Sequence, residues 1–146
     1  MAESKLRNLS VEFSVKIIKL CENIKGHYSL TNQIERSGTS IGANIHEANY
    51  AHSKNDFISK LQIALKECYE TEYWLELFVK SDLLNRETAK EIHNECGTIR
   101  KMLISSINTA KQNAEKSSIF ACIIYKIFNE FECTLNFFAF SFSLTR

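Results

Sequence analysis

The sequence contains no proline and only four glycines. Proline ends helices and interrupts central strands, and glycine is the commonest residue of tight turns, so this chain has few places to turn. Apolar residues recur along most of it at alternating three- and four-residue steps, the spacing of one face of a helix. Long helices are therefore the expected architecture.

The first two predicted helices cover the N-terminal third of the chain. One runs from about Ser4 to Lys25 and ends at Gly26, the natural stop signal. Its apolar stripe consists of Leu6, Leu9, Phe13, Ile17, Leu20 and Ile24. The next runs from about Leu30 to Ala51, and its inward face consists of Ile34, Gly38, Ile41, Ile45 and Ala48.

Two further helices follow, each with its own capping residue. Ser53 and Asp56 form an acidic variant of the capping box, which predicts a third helix ending near Ser81. Its stripe is Phe57, Leu61, Ala64, Cys68, Thr71, Leu75 and Phe78. Asn85 caps the fourth, whose stripe is Ala89, Ile92, Cys96, Ile99, Leu103, Ile107 and Ala110. Helices of roughly 20 to 30 residues joined by short loops force neighbours to lie antiparallel, so we predict an all-α, up-down four-helix bundle over residues 1–116.

Residues 117–146 form an apolar C-terminal extension of different character. We expect it to be partly helical, with a helix from Ser118 to about Cys133 that either prolongs the fourth helix or folds back on the bundle. Free exposure of its large side chains would forgo about 1.5 to 3 kcal/mol each relative to burial, so the extension must dock or aggregate. Charged residues near its middle, Lys126, Glu130 and Glu132, argue against a membrane-spanning helix.

Charge and cysteine content narrow the function classes. The 18 Lys and Arg nearly balance 17 Asp and Glu, so no strong overall field favours nucleic acid or acidic lipid. The five cysteines form no CxxC pair and mostly occupy apolar helix positions, as expected of reduced thiols in a cytoplasmic protein. The N-terminus has no apolar segment of the kind found in signal peptides.

The stretch SGTSIGANIHEA, residues 37–48, resembles a phosphate-binding loop in composition. Such a loop follows a strand and ends in Gly-Lys-Ser/Thr, and neither feature is present. Gly38 and Gly42 instead lie one turn apart on the second predicted helix, where they allow a neighbouring backbone to approach closely. We favour this packing role, although each glycine costs roughly 1 kcal/mol relative to alanine.

Polar residues line a strip beside the apolar stripes of the second and third helices. We interpret them as a hydrogen-bonded and salt-bridged network that sets helix register. The network consists of Arg36, Ser40, Asn44, Glu47, Glu67 and Glu70. The alternative is a carboxylate-lined metal site or enzyme using Glu47, Glu67 and Glu70. Di-metal bundles use Glu-x-x-His pairs, which this chain lacks, so we expect no metal, no cofactor and no catalytic residue.

A modest basic face on the first helix is the candidate nucleic-acid contact. It consists of Lys5, Arg7, Lys16, Lys19 and Lys25. Glu12 and Glu22 interrupt it, a pattern more typical of a solvated helix face than of RNA binding.

Residues 33–78 resemble the four-helix-bundle family of 23S rRNA intervening-sequence proteins. The resemblance rests on Arg36, Ser40-Ile41, the segment Asn44 to Ala48, Phe57, and Glu67, Glu70, Trp74 and Leu75. It implies a bacterial, cytoplasmic, non-enzymatic bundle that assembles as a homopentamer around a central channel. Some members are encoded inside ribosomal RNA genes, and a related branch serves as accessory protein in diversity-generating retroelements, binding nucleic acid and a reverse transcriptase. The extension beyond Lys116 is not part of the family pattern.

The resemblance and the residues together give the functional expectation. We expect a homo-oligomeric structural or nucleic-acid-associated adaptor with no membrane partner, and the resemblance implies that the oligomer is a pentamer. Apolar residues off the main stripes support oligomerisation, since a helix with a second apolar strip usually packs against a second partner besides the core. These residues are Ile18, Ile58, Ile63 and Met102.

Overall fold

The computed structural model of the protein describes the backbone of residues 5–143 and the side chains of residues 5–116. Within residues 5–143 it contains four helices and no strand. The helices are α1 (Lys5–Asn23), α2 (Tyr28–Ala48), α3 (Lys54–Lys80) and α4 (Arg86–Ser143). The predicted all-α four-helix class is confirmed, and α1, α2 and α3 begin and end within a few residues of their predicted bounds.

The caps of α3 and α4 follow from side-chain chemistry. The Ser53 hydroxyl accepts a hydrogen bond from the Asp56 backbone N–H at 3.1 Å, as the capping pattern predicts. The Asp56 carboxylate, however, accepts from the His52 N–H at 3.1 Å, one residue before the cap. Asn85 caps α4, because its side-chain oxygen accepts from the Thr88 N–H at 2.8 Å. Both predicted starts are therefore explained by satisfied backbone donors.

Two turn residues of the described part adopt left-handed backbone conformations. Gly26, between α1 and α2, has a φ of 84°, which glycine adopts at little cost. Asp82, after α3, has a φ of 57°. Beside it the Leu83 N–H donates to the Phe78 carbonyl at 2.9 Å, the bond that closes a Schellman-type helix end.

The hydrophobic core runs along the predicted stripes. Its largest fully buried side chains include Phe13, Phe78, Ile17, Ile34, Ile41, Leu75, Ile99 and Leu103. Ser10 is also fully buried, although it is not a stripe residue by hydrophobicity. Its hydroxyl donates to the Arg7 carbonyl at 2.7 Å, so the burial leaves no unsatisfied donor.

Contacting residues occur in opposite order along neighbouring helices. The Ser37 and Thr71 hydroxyl oxygens lie 3.0 Å apart. Further along α2 and earlier in α3, Glu47 and Lys60 form an ion pair at 2.5 Å. This is the order that antiparallel neighbours give, consistent with the predicted up-down arrangement.

The chain divides into two compact units, Met1–Ala110 and Lys111–Arg146. The backbone of α4 is helical from Ser118 to Cys133 and remains helical to Ser143. Residues 144–146 and the side chains beyond Lys116 lie outside the described part, and so does the predicted docking of the extension. Among the described residues, no helix combines the length and the hydropathy needed to cross a membrane.

Candidate functional site

A polar seam lies between α2 and α3, built around one arginine and two glutamates. Arg36 donates to the Glu70 carboxylate through a terminal guanidinium nitrogen. Its other terminal nitrogen lies 3.9 Å from Glu67 Oε2. The Trp74 indole N–H donates to Glu70 Oε1 at 3.3 Å. Because Glu67, Glu70 and Trp74 are spaced by three and four residues, they share the side of α3 that faces Arg36.

Beneath this seam, two hydroxyls join α2 to α3 in the core. Ser37 and Thr71 are both fully buried. Thr71 Oγ1 lies within hydrogen-bonding distance of Ser37 Oγ at 3.0 Å and of the Glu67 carbonyl at 2.8 Å. Ser37 donates in turn to the Ile34 carbonyl at 3.2 Å. The spacing of Thr71 places it in the apolar stripe, so the sequence predicts its burial but not its polar partner.

Glu67 is the electrostatically unusual member of the seam. Its side chain is only 16% exposed, and its Oε2 atom is buried with no hydrogen-bond partner among the described residues. Burial raises the pKa of Glu67 above its ordinary value, and the neighbouring Glu70 carboxylate raises it further. Arg36 and Lys66 oppose this rise. The guanidinium therefore holds together two carboxylates that would otherwise repel each other.

The six predicted network residues do not form one cluster. Arg36, Glu67 and Glu70 meet, as described above. The Asn44 side-chain amide donates to the Ser40 carbonyl at 2.9 Å, a bond within one turn of α2. Glu47 pairs instead with Lys60. The network is thus divided into a seam and two separate local interactions.

Glu47 does not join Glu67 and Glu70, so the three carboxylates of the metal-site alternative do not meet. Lys60 precedes Glu67 by about 10 Å along α3, so the Lys60–Glu47 pair lies well away from the seam. Among the described residues, no group of three or more His, Cys, Asp or Glu side chains is arranged to hold a metal ion. Glu67 and Glu70 share an arginine instead.

The two glycines of α2 lie against small or branched side chains of α1. A Cβ atom at Gly38 would lie 2.8 Å from Ile17 Cγ1, closer than side-chain atoms pack. A Cβ at Gly42 would lie 3.1 Å from Ser14 Oγ and 3.4 Å from the Ser10 carbonyl. Close packing of α1 on α2 therefore depends on the missing side chain at Gly38, and less so at Gly42.

The basic residues of α1 are not equivalent. Lys16 donates to Glu95 and, at 3.4 Å, to Glu91, both on α4. Its bond to Glu95 raises the pKa of Lys16, so the charge is retained but is already compensated. Of the other predicted contacts, Arg7 is partly buried, whereas Lys5, Lys19 and Lys25 are exposed.

The family assignment follows from sequence over most of the described bundle. The profile of the family described as 23S rRNA-intervening sequence protein matches residues 2–105. The chain belongs to this family. No functionally curated protein matched the chain.

A solved structure supports the assignment to the 23S rRNA-intervening sequence family. The chain is similar to a protein of unknown function from the S23 ribosomal protein family of Bacteroides thetaiotaomicron, whose crystal structure has been determined. The two share 48% sequence identity and a TM-score of 0.67, over 70% of this chain and 97% of that one. The description of the matched family names no enzymatic activity.

The family region also carries an apolar ridge on α1 that sequence reasoning found only in part. The ridge consists of Val11, Val15 and Ile18, which are 53%, 44% and 39% exposed. Val11 and Val15 lie about 160° around the helix from the buried Phe13, so the ridge faces away from the core. Their spacing of three and four residues is the signal that could have revealed them.

The other off-stripe residues behave differently. Ile63 on α3 is 38% exposed, as the second-strip interpretation requires. Ile58 is instead a core residue, and Met102 packs against the core. The interpretation was wrong for these two because a stripe in a four-helix bundle is wide enough to bury positions at its margin.

A groove between α3 and α4 was missed entirely by sequence reasoning. It is wide open to solvent and has a volume of about 660 Å³. Its lining residues are Tyr69, Glu72, Tyr73, Leu75, Glu76, Val79, Lys80, Arg86, Ala89, Lys90 and His93. Two tyrosines one turn apart, Tyr69 and Tyr73, are 50% and 57% exposed. Such a groove depends on how two helices pack, which periodicity alone does not report.

Proposed function

We propose that the protein is a non-enzymatic, homo-oligomeric bundle of the cytoplasm that acts as a structural or nucleic-acid-associated adaptor. The family resemblance implies an assembly of five copies around a central channel. The α1 ridge is the observation that carries the proposal, because it places three β-branched side chains on a face that the bundle's own core does not cover.

The ridge supports self-association through its chemistry. Exposed β-branched residues grouped on one helix face are typical of surfaces that are covered by a partner, whereas isolated exposed apolar residues need no explanation. Val11, Val15 and Ile18 belong to one helix whose opposite face is fully used by the core. A second copy of the chain is always present with the first. If the ridge packs against a different surface of that copy, the contact repeats from copy to copy and forms a ring when its rotation closes.

The seam supports a structural role for the acidic residues. Glu70 accepts hydrogen bonds from Arg36 and Trp74, and Glu67 lies beside the same guanidinium. Carboxylates held in this way are engaged in holding α2 against α3. We therefore assign Arg36, Glu67 and Glu70 to register between the helices and not to catalysis.

Light scattering on the purified full chain tests the oligomer. We expect a mass about five times that of one chain, on the expectation carried by the family. Val15→Lys should lower the mass, because it places a charge in the proposed contact. Asn94→Lys, at an exposed polar position of α4, is the matched control and should leave the mass unchanged. A full-length chain that stays monomeric at micromolar concentration contradicts self-association.

Nucleic-acid association is tested separately. In an oligomer, the exposed cations Lys5, Lys19 and Lys25 would be repeated, so a weak patch would act multivalently. Affinity for a structured RNA should then fall steeply with added salt, and Lys19→Gln should flatten that dependence. Absence of binding at low salt would remove the nucleic-acid half of the proposal and leave the structural half standing.

A further inference from the structure

The α3–α4 groove presents two chemically different ends. Tyr69 and Tyr73 lie toward the middle of α3, while Arg86 and Lys90 come from the first turns of α4. Between them the floor is formed by Leu75, Val79 and Ala89. The groove therefore runs from an aromatic end to a cationic end.

The acids of the groove are already paired, and two of its cations are not. Glu72 accepts a hydrogen bond from Arg100 Nε at 2.9 Å. Glu76 accepts one from Lys80 at 2.6 Å, which lowers the pKa of Glu76. Neither Arg86 nor Lys90 has an ion-pair partner within the described part of the chain. The uncompensated charge of the groove is therefore positive and lies at the α4 end.

Among the residues that line the groove, Tyr69 and Tyr73 are the large apolar side chains that are exposed. Leu75 and Ala89 are only 1% and 6% exposed, so the floor leaves little area on which an apolar helix could settle. Arg100 lies over the Tyr69 ring, 5.4 Å from its centroid. The Tyr73 ring and the Trp74 indole form a T-shaped pair with 5.1 Å between their centroids, and Tyr73 remains 57% exposed, so part of it is open to a ligand. Exposed rings one turn apart suit the stacking of flat aromatic groups.

We propose that this groove binds an unpaired nucleotide, with the base stacked on Tyr69 or Tyr73 and the phosphate held by Arg86 and Lys90. Aromatic side chains beside a cationic track are the combination that binds unpaired bases without sequence preference. The volume lies within the range of small-ligand sites, so one or two nucleotides fit. The inference rests on the nucleic-acid half of the proposed function and deepens it by adding a contact on α3 and α4 to the cations of α1. The nucleotide is either free or part of a single strand, and both sources share this chemistry.

The test uses the full-length protein and two probes. One is a fluorescein-labelled oligoadenylate of about 12 nucleotides, comparable to known single-strand site sizes, followed by anisotropy. The other is AMP, followed by the fluorescence of Trp74, the single tryptophan of the chain, which lies against Tyr73. Binding of the strand and not of AMP assigns the groove to single strands, and binding of AMP assigns it to free nucleotides as well.

Tyr73→Leu should weaken binding of either probe about tenfold, the order expected for one lost stack. The matched control is Tyr28→Leu, because Tyr28 is 80% exposed and lies outside the groove. The double variant Arg86→Gln/Lys90→Gln should reduce the slope of log affinity against log salt by about 0.7, since the two side chains hold one phosphate and each neutralised phosphate of a single strand contributes about 0.7. Circular dichroism melts verify that each variant remains folded.

Three results would overturn the inference. One is that neither probe binds the full-length protein at low salt. Another is that the strand binds and the groove variants leave its affinity and salt slope unchanged, while Lys19→Gln changes them; nucleic-acid association would then survive on α1. The third is that Tyr73→Leu lowers the oligomer mass, which would make the groove an interface between copies.

Discussion

Gly38 and Ile17 define the closest approach of α1 to α2. An added Cβ at Gly38 would lie 2.8 Å from Ile17 Cγ1, 2.9 Å from Cγ2 and 3.2 Å from Cβ. Ile17 is itself fully buried, so it has little room to move away. The contact therefore requires glycine, even though glycine weakens the helix that carries it.

Gly38→Ala should destabilise the protein by up to about 2 kcal/mol. Overpacking in a dense core costs about 1 to 3 kcal/mol, and the better helix propensity of alanine returns at most about 1. Gly97→Ala is the matched control, because the nearest atom to an added Cβ there is the end of Arg100 at 3.9 Å. That change should stabilise α4 by about 0.5 to 1 kcal/mol. Urea unfolding of both variants gives the comparison, and equal effects would show that the Ile17 contact is not limiting.

The helix stripes were predictable because their signal is local. Each residue of a stripe is related to the next by three or four positions, and the capping residues Ser53 and Asn85 lie beside the helices they start. The same locality explains the failure at Ile58, which lies beside the predicted stripe residue Phe57. The structure buries Ile58 and leaves Phe57 partly buried, because the pairing of neighbouring helices selects between adjacent positions.

The seam and the groove depend on register between helices, which a single sequence does not state. Ser37 and Thr71 are 34 positions apart, and only the packing of α2 on α3 brings their hydroxyls together. The same is true of Glu47, which shares a helix with Arg36 but pairs with Lys60. Residue type and spacing identified the polar members of the seam, and the pairing decided which of them meet.

The Ser37–Thr71 contact should appear as a coupling energy of about 0.5 to 1 kcal/mol. Ser37→Ala and Thr71→Val should each lower the free energy of unfolding by about 0.5 to 1.5 kcal/mol. Each substitution removes a hydroxyl that also bonds a backbone carbonyl, that of Ile34 for Ser37 and that of Glu67 for Thr71. The double variant should cost less than the sum of the two, because both ends of the contact are removed together. Thr98→Val, which removes a local bond to Asn94, should show no coupling to Ser37→Ala. Additive costs for Ser37 and Thr71 would contradict the contact.

Glu67→Gln should flatten the dependence of stability on pH in the acidic range. Because burial and Glu70 raise the pKa of Glu67, the Glu67 carboxyl stays protonated to a higher pH in the folded protein than in the unfolded chain. Stability from this group is present below the ordinary glutamate pKa of about 4.3 and is lost as pH rises through the folded value. The glutamine variant lacks this loss, so it should be at least as stable as the parent at neutral pH.

Chemical unfolding at a series of pH values measures this difference. The free energy of unfolding of the parent should fall, relative to that of Glu67→Gln, as pH rises above the ordinary glutamate pKa of about 4.3 and through the raised pKa of Glu67. Glu76→Gln is the control with the opposite sign, because Lys80 lowers the pKa of Glu76. Glu76→Gln removes the charge from the exposed Glu76–Lys80 ion pair and should change stability little. Identical pH profiles for the parent and Glu67→Gln would show that Arg36 already cancels the effect of burial.

A chain that ends at Lys116 should fold without the apolar extension. All residues of the described core lie between Leu6 and Ile107, and the family match ends at residue 105. The related Bacteroides thetaiotaomicron protein matches over 97% of its own length while covering 70% of this chain. Its fold therefore forms without a counterpart of the remaining residues.

Circular dichroism and light scattering on the shortened chain test this expectation. We expect cooperative thermal unfolding and an unchanged number of copies per assembly. Loss of cooperative unfolding would show that the extension completes the core. A folded chain with fewer copies would instead assign residues 117–146 to an interface between copies, which is one way in which their large apolar side chains could be removed from water.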